Sequence, residues 1–510
     1  MKNHRIFLKQ GVKMNLYFGD IHNHCGISYG YGALVNALTA ARNHLDFCNV
    51  TGHALWPDIH DRKPETEYLV DFHMQGFKKL YDNWGNVTDT INKYNEPGNF
   101  VTFQGYEMHS KIYGDHHILS KDNYIPIISD AQNPKDLVEK LKPKNVMAIP
   151  HHVAYTPGYR GIDWDSLDQT ISPVVEVFSK HGCGISDTDP YPYLHTMGPR
   201  DSRNTVITGL QKGHVFGFIA STDHHAGYPG SYGDGRIAVY AKEKTREAIW
   251  EAIKSRHTYA VTGDKIQCMF KINGELMGSI IPKTDKIEIF LNIIGCDFLD
   301  RIVLFKNSYP FRTWNFCIPE PKVVSSKYKV RIETGWGKNT EPYAWHGKIN
   351  MVNGKITGVE TCFRGKSILA PSKDSKANDA VNFLNNKIIN ITDESVEYSC
   401  ETFMNVSNLH SQTCSVICEI QGDHTTQINV DINGIKHTYT LTDLIRGSRT
   451  FHMSYFNTQA VLIHQAVPEF QYSFESLIYD HCNNPGTDYY HVSVRQYNGQ
   501  MAWISPVFIR

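Results

Sequence analysis

The sequence predicts a two-part chain, an α/β half that closes most economically as a parallel barrel, followed by a mainly β, sandwich-like half. Three observations carry this. At 510 residues the chain exceeds what one ordinary core serves. Up to about residue 265 short apolar runs alternate with helix-like segments, and beyond it alternating strand patterns dominate. The change falls at Thr262-Gly263-Asp264, dividing 1–265 from 266–510.

In the first half, Gly32 to Leu45 places Leu34, Leu38, Ala41 and Leu45 on one helical face, and Phe47 to Thr51 follows as a strand. Asn133-Pro134 opens a second helix, with Asn as cap and Pro at the first position, and Val146 to Ile149 is the next strand. Thr245 caps a third helix that carries Ile249, Ala252 and Ile253 inward. Repeated helix then strand favours a parallel sheet with both faces covered, and barrel closure covers them. An open doubly wound sheet is the alternative. In the second half Ile287, Ile289, Leu291 and Ile293 alternate in KIEIFLNI. Val492 and Val494 do the same before an Asn498-Gly499 hairpin signal and a terminal strand.

Charge is nearly balanced, 51 Lys+Arg against 52 Asp+Glu, so there is no electrostatic footprint for nucleic acid or an anionic membrane. The opening residues lack an apolar run of signal length and no later stretch approaches a membrane span, which reads as a cytoplasmic protein. The 11 cysteines are scattered without a CxxC pair, so they are expected to be mostly free and buried rather than a zinc ribbon or a disulfide framework.

Eighteen of the 26 histidines precede residue 265, and the most suggestive follow predicted strands. In FGDIHNH, Asp20, His22 and His24 share one face of an extended segment, because strand side chains alternate with period 2. Further strand ends lead to His53, Glu107, His151, and the pair Asp223 and His225. One such residue is usually a hydrogen-bonding group. Five coincident strand-end sites point instead to a metal centre of the kind α/β barrels assemble at the carboxyl ends of their strands. Imidazole and carboxylate donors without thiolate suit Zn, Mn or Fe. A glutamate among histidines is the natural bridge between two cations roughly 3.5 to 4 Å apart.

FGDIHNH, VTGHALW, QGYEMHS, GDHHILSKD, IPHHVAY and ASTDHHAG, taken in order, resemble the motif set of the PHP (polymerase and histidinol phosphatase) superfamily. FGFIASTDHHAGYPGS, TREAIWEAIKSRHTYAVTG and YYHVSVRQYNGQMAWISPVFI resemble a large PHP-like subgroup with a carboxyl-terminal β extension. The resemblance implies a distorted TIM-like (β/α)7 barrel over 1–265 and two or three divalent metal ions. One metal would be held by His22, His24, Glu107 and Asp223, with Glu107 bridging to a second that takes His151 and either His116 or His117. His117 is favoured, since it directly precedes the apolar pair Ile118-Leu119. His53 and His225 match two ligands of a third metal, whose remaining ligand falls on Gly30, a residue without a donor side chain. Gly52 stands where the family often has Asp, and a binuclear centre is the safer expectation. Asp20 is assigned an orienting role toward His22 or its neighbour.

Glu107, His181 and Arg200 are the expected catalytic residues. Glu176 and Arg203 are further pocket candidates, the arginines as clamps for a substrate oxyanion. Trp56, Tyr155, Tyr159 and Trp164 are candidates to line a sugar pocket. The expected reaction is metal-assisted hydrolysis of a phosphoester. Two rivals are a carbohydrate- or uronate-acting enzyme, with His181 or a tyrosine moving protons, and a non-catalytic protein stabilised by its metals. The β half is expected to supply no ligand, with His346 and His410 as the test positions.

Overall fold

The strand Met501–Ile509 is apolar except for Ser505 and buried at all nine positions, so both its faces are covered. It lies inside an 11-stranded sheet whose main path runs Tyr309–Asn315, Leu299–Lys306, Asp488–Gln496, Met501–Ile509, Thr258–Val261, Arg236–Ala241, Lys13–Asp20, Phe47–Cys48 and Val101–Thr102. Strands from both sides of residue 265 therefore share one sheet, with Tyr259 opposite Ile504 and Val261 opposite Ala502. This is a computed structural model, and it describes residues 6–7, 13–142, 144–337, 341–368, 384–403, 412–481 and 486–510.

Two smaller sheets complete the first half. One joins Gly52–Leu55, Tyr106–Met108, His116–Ser120 and Val146–Pro150; the other joins Gly182–Cys183, Val174–Ser179 and Gly217–Ala220. The expected closed parallel barrel is not evident in this pairing. Parallel neighbours occur along Lys13–Asp20, Phe47–Cys48 and Val101–Thr102, between Gly52–Leu55 and Tyr106–Met108, and between Val174–Ser179 and Gly217–Ala220. His116–Ser120 and Arg236–Ala241 pair antiparallel. The chain is mixed α/β, mostly strands with few helices.

Helices follow their local signals. Leu34–Arg42 buries Leu34, Leu38 and Ala41. Asn133 caps Pro134–Leu141 by accepting from the Asp136 amide, and Thr245 caps Arg246–Lys254 by accepting from Ala248, with Ile249, Ala252 and Ile253 buried. Glu67–Lys93, a 27-residue helix whose stripe Phe77, Leu80, Trp84, Val87 and Ile91 is buried, is not among the helices expected from the sequence. Gly76 and Gly85 interrupt its propensity, and packing outweighs that cost. No helix among the described residues is long and apolar enough to cross a membrane.

In the second half, Lys286–Ile294 alternates as read, with Ile287, Ile289, Leu291 and Ile293 buried. The Asn498-Gly499 turn joins Asp488–Gln496 to Met501–Ile509, with Gly499 at a φ of 82°. A six-stranded sheet containing Ser326–Gly335 and Cys414–Gly422 packs on a five-stranded sheet containing Tyr343–Val352 and Ser395–Thr402. Val330, Ile332, Trp345, Ile349, Tyr398 and Val416 fill the space between them, as in a sandwich. Ten cysteines are free among the described residues, nine of them buried and Cys317 exposed.

Candidate metal centre

Sheet register builds the centre. His53 lies opposite Glu107 across one strand pair and Glu107 opposite His117 across the next, so three chemically active side chains form one row. His22 and His24 follow Lys13–Asp20, His151 follows Val146–Pro150, Glu176 lies within Val174–Ser179, and Asp223 and His225 follow Gly217–Ala220. Backbone bonds lace the first and last of these ends together, Asp223 N to His22 O at 2.9 Å and His24 N to His224 O at 2.8 Å. Asp223 holds a φ of 49°, which turns the chain just where its carboxylate enters the cluster.

Glu107 lies at the middle. Its Oε2 is 2.9 Å from His53 Nδ1, 3.3 Å from His24 Nε2 and 3.6 Å from His22 Nε2, while its Oε1 is 3.3 Å from His151 Nε2 and 3.2 Å from His109 Nδ1. Asp223 Oδ1 is 3.0 Å from His24 Nε2 and 3.6 Å from His22 Nε2. Glu176 Oε2 meets His22 Nδ1 at 3.0 Å and lies 3.8 Å from His117 Nε2. His53 Nε2 and His225 Nε2 are 3.2 Å apart. All these groups are buried.

These contacts are close, yet several are not aligned as hydrogen bonds. Glu107 Oε2, both ring nitrogens of His117 and His151, His181 Nε2 and Glu176 Oε1 are buried without a hydrogen-bond partner. Buried polar atoms are normally paired, and a cation between converging lone pairs would satisfy these. Donor atoms of His22, Glu107 and His151, of His22, His24 and Asp223, of His22, His117 and Glu176, and of His24, His53 and His225 each lie within 4.8 Å of one another. The residues present thus fit divalent metal ions.

Electrostatics point the same way. Burial lowers the pKa of His53, His117 and His225, and takes His151 down to about 4, which favours the neutral ring whose lone pair a metal would take. Burial alone would raise Glu107, but the imidazoles of His109, His53 and His151 outweigh it and hold the carboxyl below its ordinary range. Glu176 is pushed up to about 8 by burial, with His22 opposing the shift.

The other sequence-predicted residues divide. His181 is beside the cluster, its Nε2 2.8 Å from Asp223 Oδ2 and its Nδ1 3.4 Å from the Tyr155 hydroxyl. His116 turns its Nδ1 to the Gly114 carbonyl at 3.0 Å. Arg200 is not brought to the cluster by its hydrogen bonds, which go to the carbonyls of Cys183, Tyr191, Asp187 and Asp189. Arg203 pairs with Asp201 at the surface. Asp20 accepts from the backbone of His22, Thr222 and Gly230 and from the Thr222 hydroxyl, so it fixes the chain around the histidines rather than an imidazole. Among the aromatics, Trp164 is buried against Phe216, Tyr159 is exposed and the Arg160 guanidinium covers Trp56. Gly30 has no room for a ligand: a Cβ there would meet Cys25 O at 2.7 Å.

His109, Asp115 and Arg160 were missed. His109 Nε2 is 3.1 Å from His53 Nδ1, its Nδ1 is 3.2 Å from Asp115 Oδ2, and Arg160 donates to that carboxylate. The signal available was His109 standing two residues after Glu107, on the same face of the strand. In the second half, His346 pairs with Glu397 at 3.1 Å on the surface, and His410 lies outside the described residues. That half nevertheless reaches the centre, because Ile368 O accepts from the His225 amide at 3.4 Å.

A family model described as a protein of unknown function (DUF3604) matches residues 230–285. An uncharacterized protein of Chlamydia pneumoniae is 24% identical over 263 residues, 46% of this chain and 41% of that protein. A second uncharacterized protein, from Chlamydia muridarum, is 23% identical over 255 residues, 45% of this chain and 40% of that protein. The chain thus spans less than half the length of these relatives. A crystal structure of a two-domain protein containing a predicted PHP-like metal-dependent phosphoesterase from Bacteroides vulgatus aligns with 62% of this chain and 86% of its own, at 14% identity and a TM-score of 0.31.

Proposed function

We propose that the chain is a PHP-type metal-dependent hydrolase acting on a phosphoester through a bi- or trinuclear centre of Zn, Mn or Fe. The observation that carries this reading is the position of Glu107, whose two oxygens face different imidazole sets while Oε2 lacks a hydrogen-bond partner. Two sites sharing one carboxylate are the arrangement metal-assisted hydrolysis uses. His22, His24, Asp223 and Glu107 Oε2 would hold one ion, and His151, His117 and Glu107 Oε1 a second. His53 and His225 are the residues for a third. The strand ends make a distorted TIM-like barrel in this reading, supported by the backbone bonds that join residues 22–24 to 223–224.

Bound divalent cations would supply Lewis acidity, acidifying water and neutralising charge on the phosphoryl group. The chain's own residues do the rest. Glu176 fixes the ring of His22 by taking its Nδ1, which leaves Nε2 turned toward Asp223 and Glu107. His181, with its Nδ1 hydrogen-bonded to the Tyr155 hydroxyl and its Nε2 close to Asp223 but without a hydrogen-bond partner, stands at the edge of the cluster and is the group suited to carry a proton to or from the leaving oxygen. Burial of the donors excludes bulk water and strengthens each interaction.

The test is turnover of an aryl phosphate and of an oligosaccharide panel by chelated protein, before and after addition of Zn, Mn or Fe. Phosphate release that returns with metal is expected. Metal-dependent turnover of saccharides alone would replace the phosphoester reading with the carbohydrate one.

A further inference from the structure

The six-stranded sheet of the second half ends in a concavity of ≈ 730 Å³. Its walls carry Trp336, Tyr455 and Phe456, which are 44%, 83% and 84% exposed. Trp336 follows Gly335, which lies opposite Ala460, so its loop stands beside the hairpin joining Arg449–His452 to Ala460–Ile463. The hairpin tip is braced from within, Met453 N donating to Gln459 O at 2.9 Å and the Thr458 hydroxyl to Tyr455 O at 2.7 Å. Tyr455 and Phe456 would each bury roughly 150–250 Å² if covered, and large exposed apolar patches on ordered surfaces mark interaction sites.

The remaining lining decides what covers them. Among the described residues it contains no Asp, Glu, Lys or Arg, so within them a phosphate or carboxylate finds no lysine or arginine to pair with. Thr450, His452, Ser454 and Asn457 add hydroxyl, imidazole and amide groups around the rings. Aromatic faces with an uncharged polar rim match a sugar ring, which offers a face of C–H groups edged by hydroxyls. Size favours the same occupant, since small-ligand pockets run about 300–1,000 Å³, whereas a protein partner needs about 800 Å² of each surface. Among the described residues this patch comprises one hairpin and one loop. We infer that the β half carries a binding subsite for a neutral saccharide, separate from the metal centre.

Isothermal titration of the full chain with neutral hexasaccharides of glucose, xylose, mannose and galactose tests this. Saturable binding of at least one is expected, unchanged by chelation and weakened about tenfold or more by Trp336→Ala or Tyr455→Ala. Both side chains are exposed, so the variants should melt like the parent; Thr450→Val gives the same reading with the surface shape kept. Binding of none, binding only of acidic saccharides, or full affinity in the alanine variants overturns the inference. So does a concentration-dependent dimer that the same substitutions dissolve, because the patch then belongs to a second copy.

Discussion

Glu107→Gln removes one negative charge from between two clusters of donors while keeping the shape of the side chain. Metal content measured by mass spectrometry should fall, and hydrolysis should drop by several orders of magnitude. Glu176→Gln keeps a hydrogen-bonding group at His22 Nδ1 but loses the carboxylate, and metal affinity should weaken roughly 10- to 100-fold. Asp20→Asn behaves differently. Its carboxylate accepts four bonds, two at each oxygen, so an amide NH₂ in place of either oxygen faces two donors, costing about 1–3 kcal/mol of stability. Metal stoichiometry should stay intact; loss of metal at unchanged melting temperature would show that Asp20 acts on the ligands after all. Gly30→Asp is expected to destabilise without adding a metal, because its Cβ meets the Cys25 backbone. The histidines at strand ends were legible because period-2 alternation and β-run boundaries are local signals. Glu176 was legible only as a pocket residue, since a lone carboxylate in Val174–Ser179 does not reveal that His22 lies 3.0 Å away across 154 positions.

At the scale of elements, Asp264 ties the two halves together. Arg331 meets it at 2.7 Å, Tyr232 donates to the same oxygen at 2.9 Å, and Gln496 and Asn498 donate to the other at 2.8 Å. Arg331→Met leaves a buried carboxylate without its cation and should cost about 3–5 kcal/mol in thermal or denaturant unfolding. The pH dependence has a definite sign. Burial would raise Asp264, but Arg331 and the hydrogen bonds outweigh it and hold the folded pKa below the ordinary 3.8. The pair's stabilisation is then fully present above the ordinary value and fades as pH falls through the lowered one. Acid-unfolding curves of the parent and Arg331→Met should therefore converge at low pH, and a constant gap down to pH 2 would contradict this account. Helix caps and alternating strands were readable locally. The pairing of Thr258–Val261 with Met501–Ile509 was not, because periodicity assigns a strand to a face and says nothing about a partner some 240 positions away. The same limit hid how the parallel runs are broken by antiparallel neighbours.

For the whole molecule, cations bound to the folded chain would hold strand ends that are distant in sequence, so removing them should lower the melting temperature as well as stop turnover. Unchanged melting after verified metal removal would count against a centre that joins these strands. The most direct measurement is an anomalous difference map from crystals of the purified protein, collected at the absorption edges of Zn, Mn and Fe. Two or three peaks clustered on Glu107 are expected, one flanked by His22, His24 and Asp223 and another by His117 and His151. An absence of peaks there in metal-replete crystals, or ions held elsewhere with Glu107 touching none, would contradict this expectation.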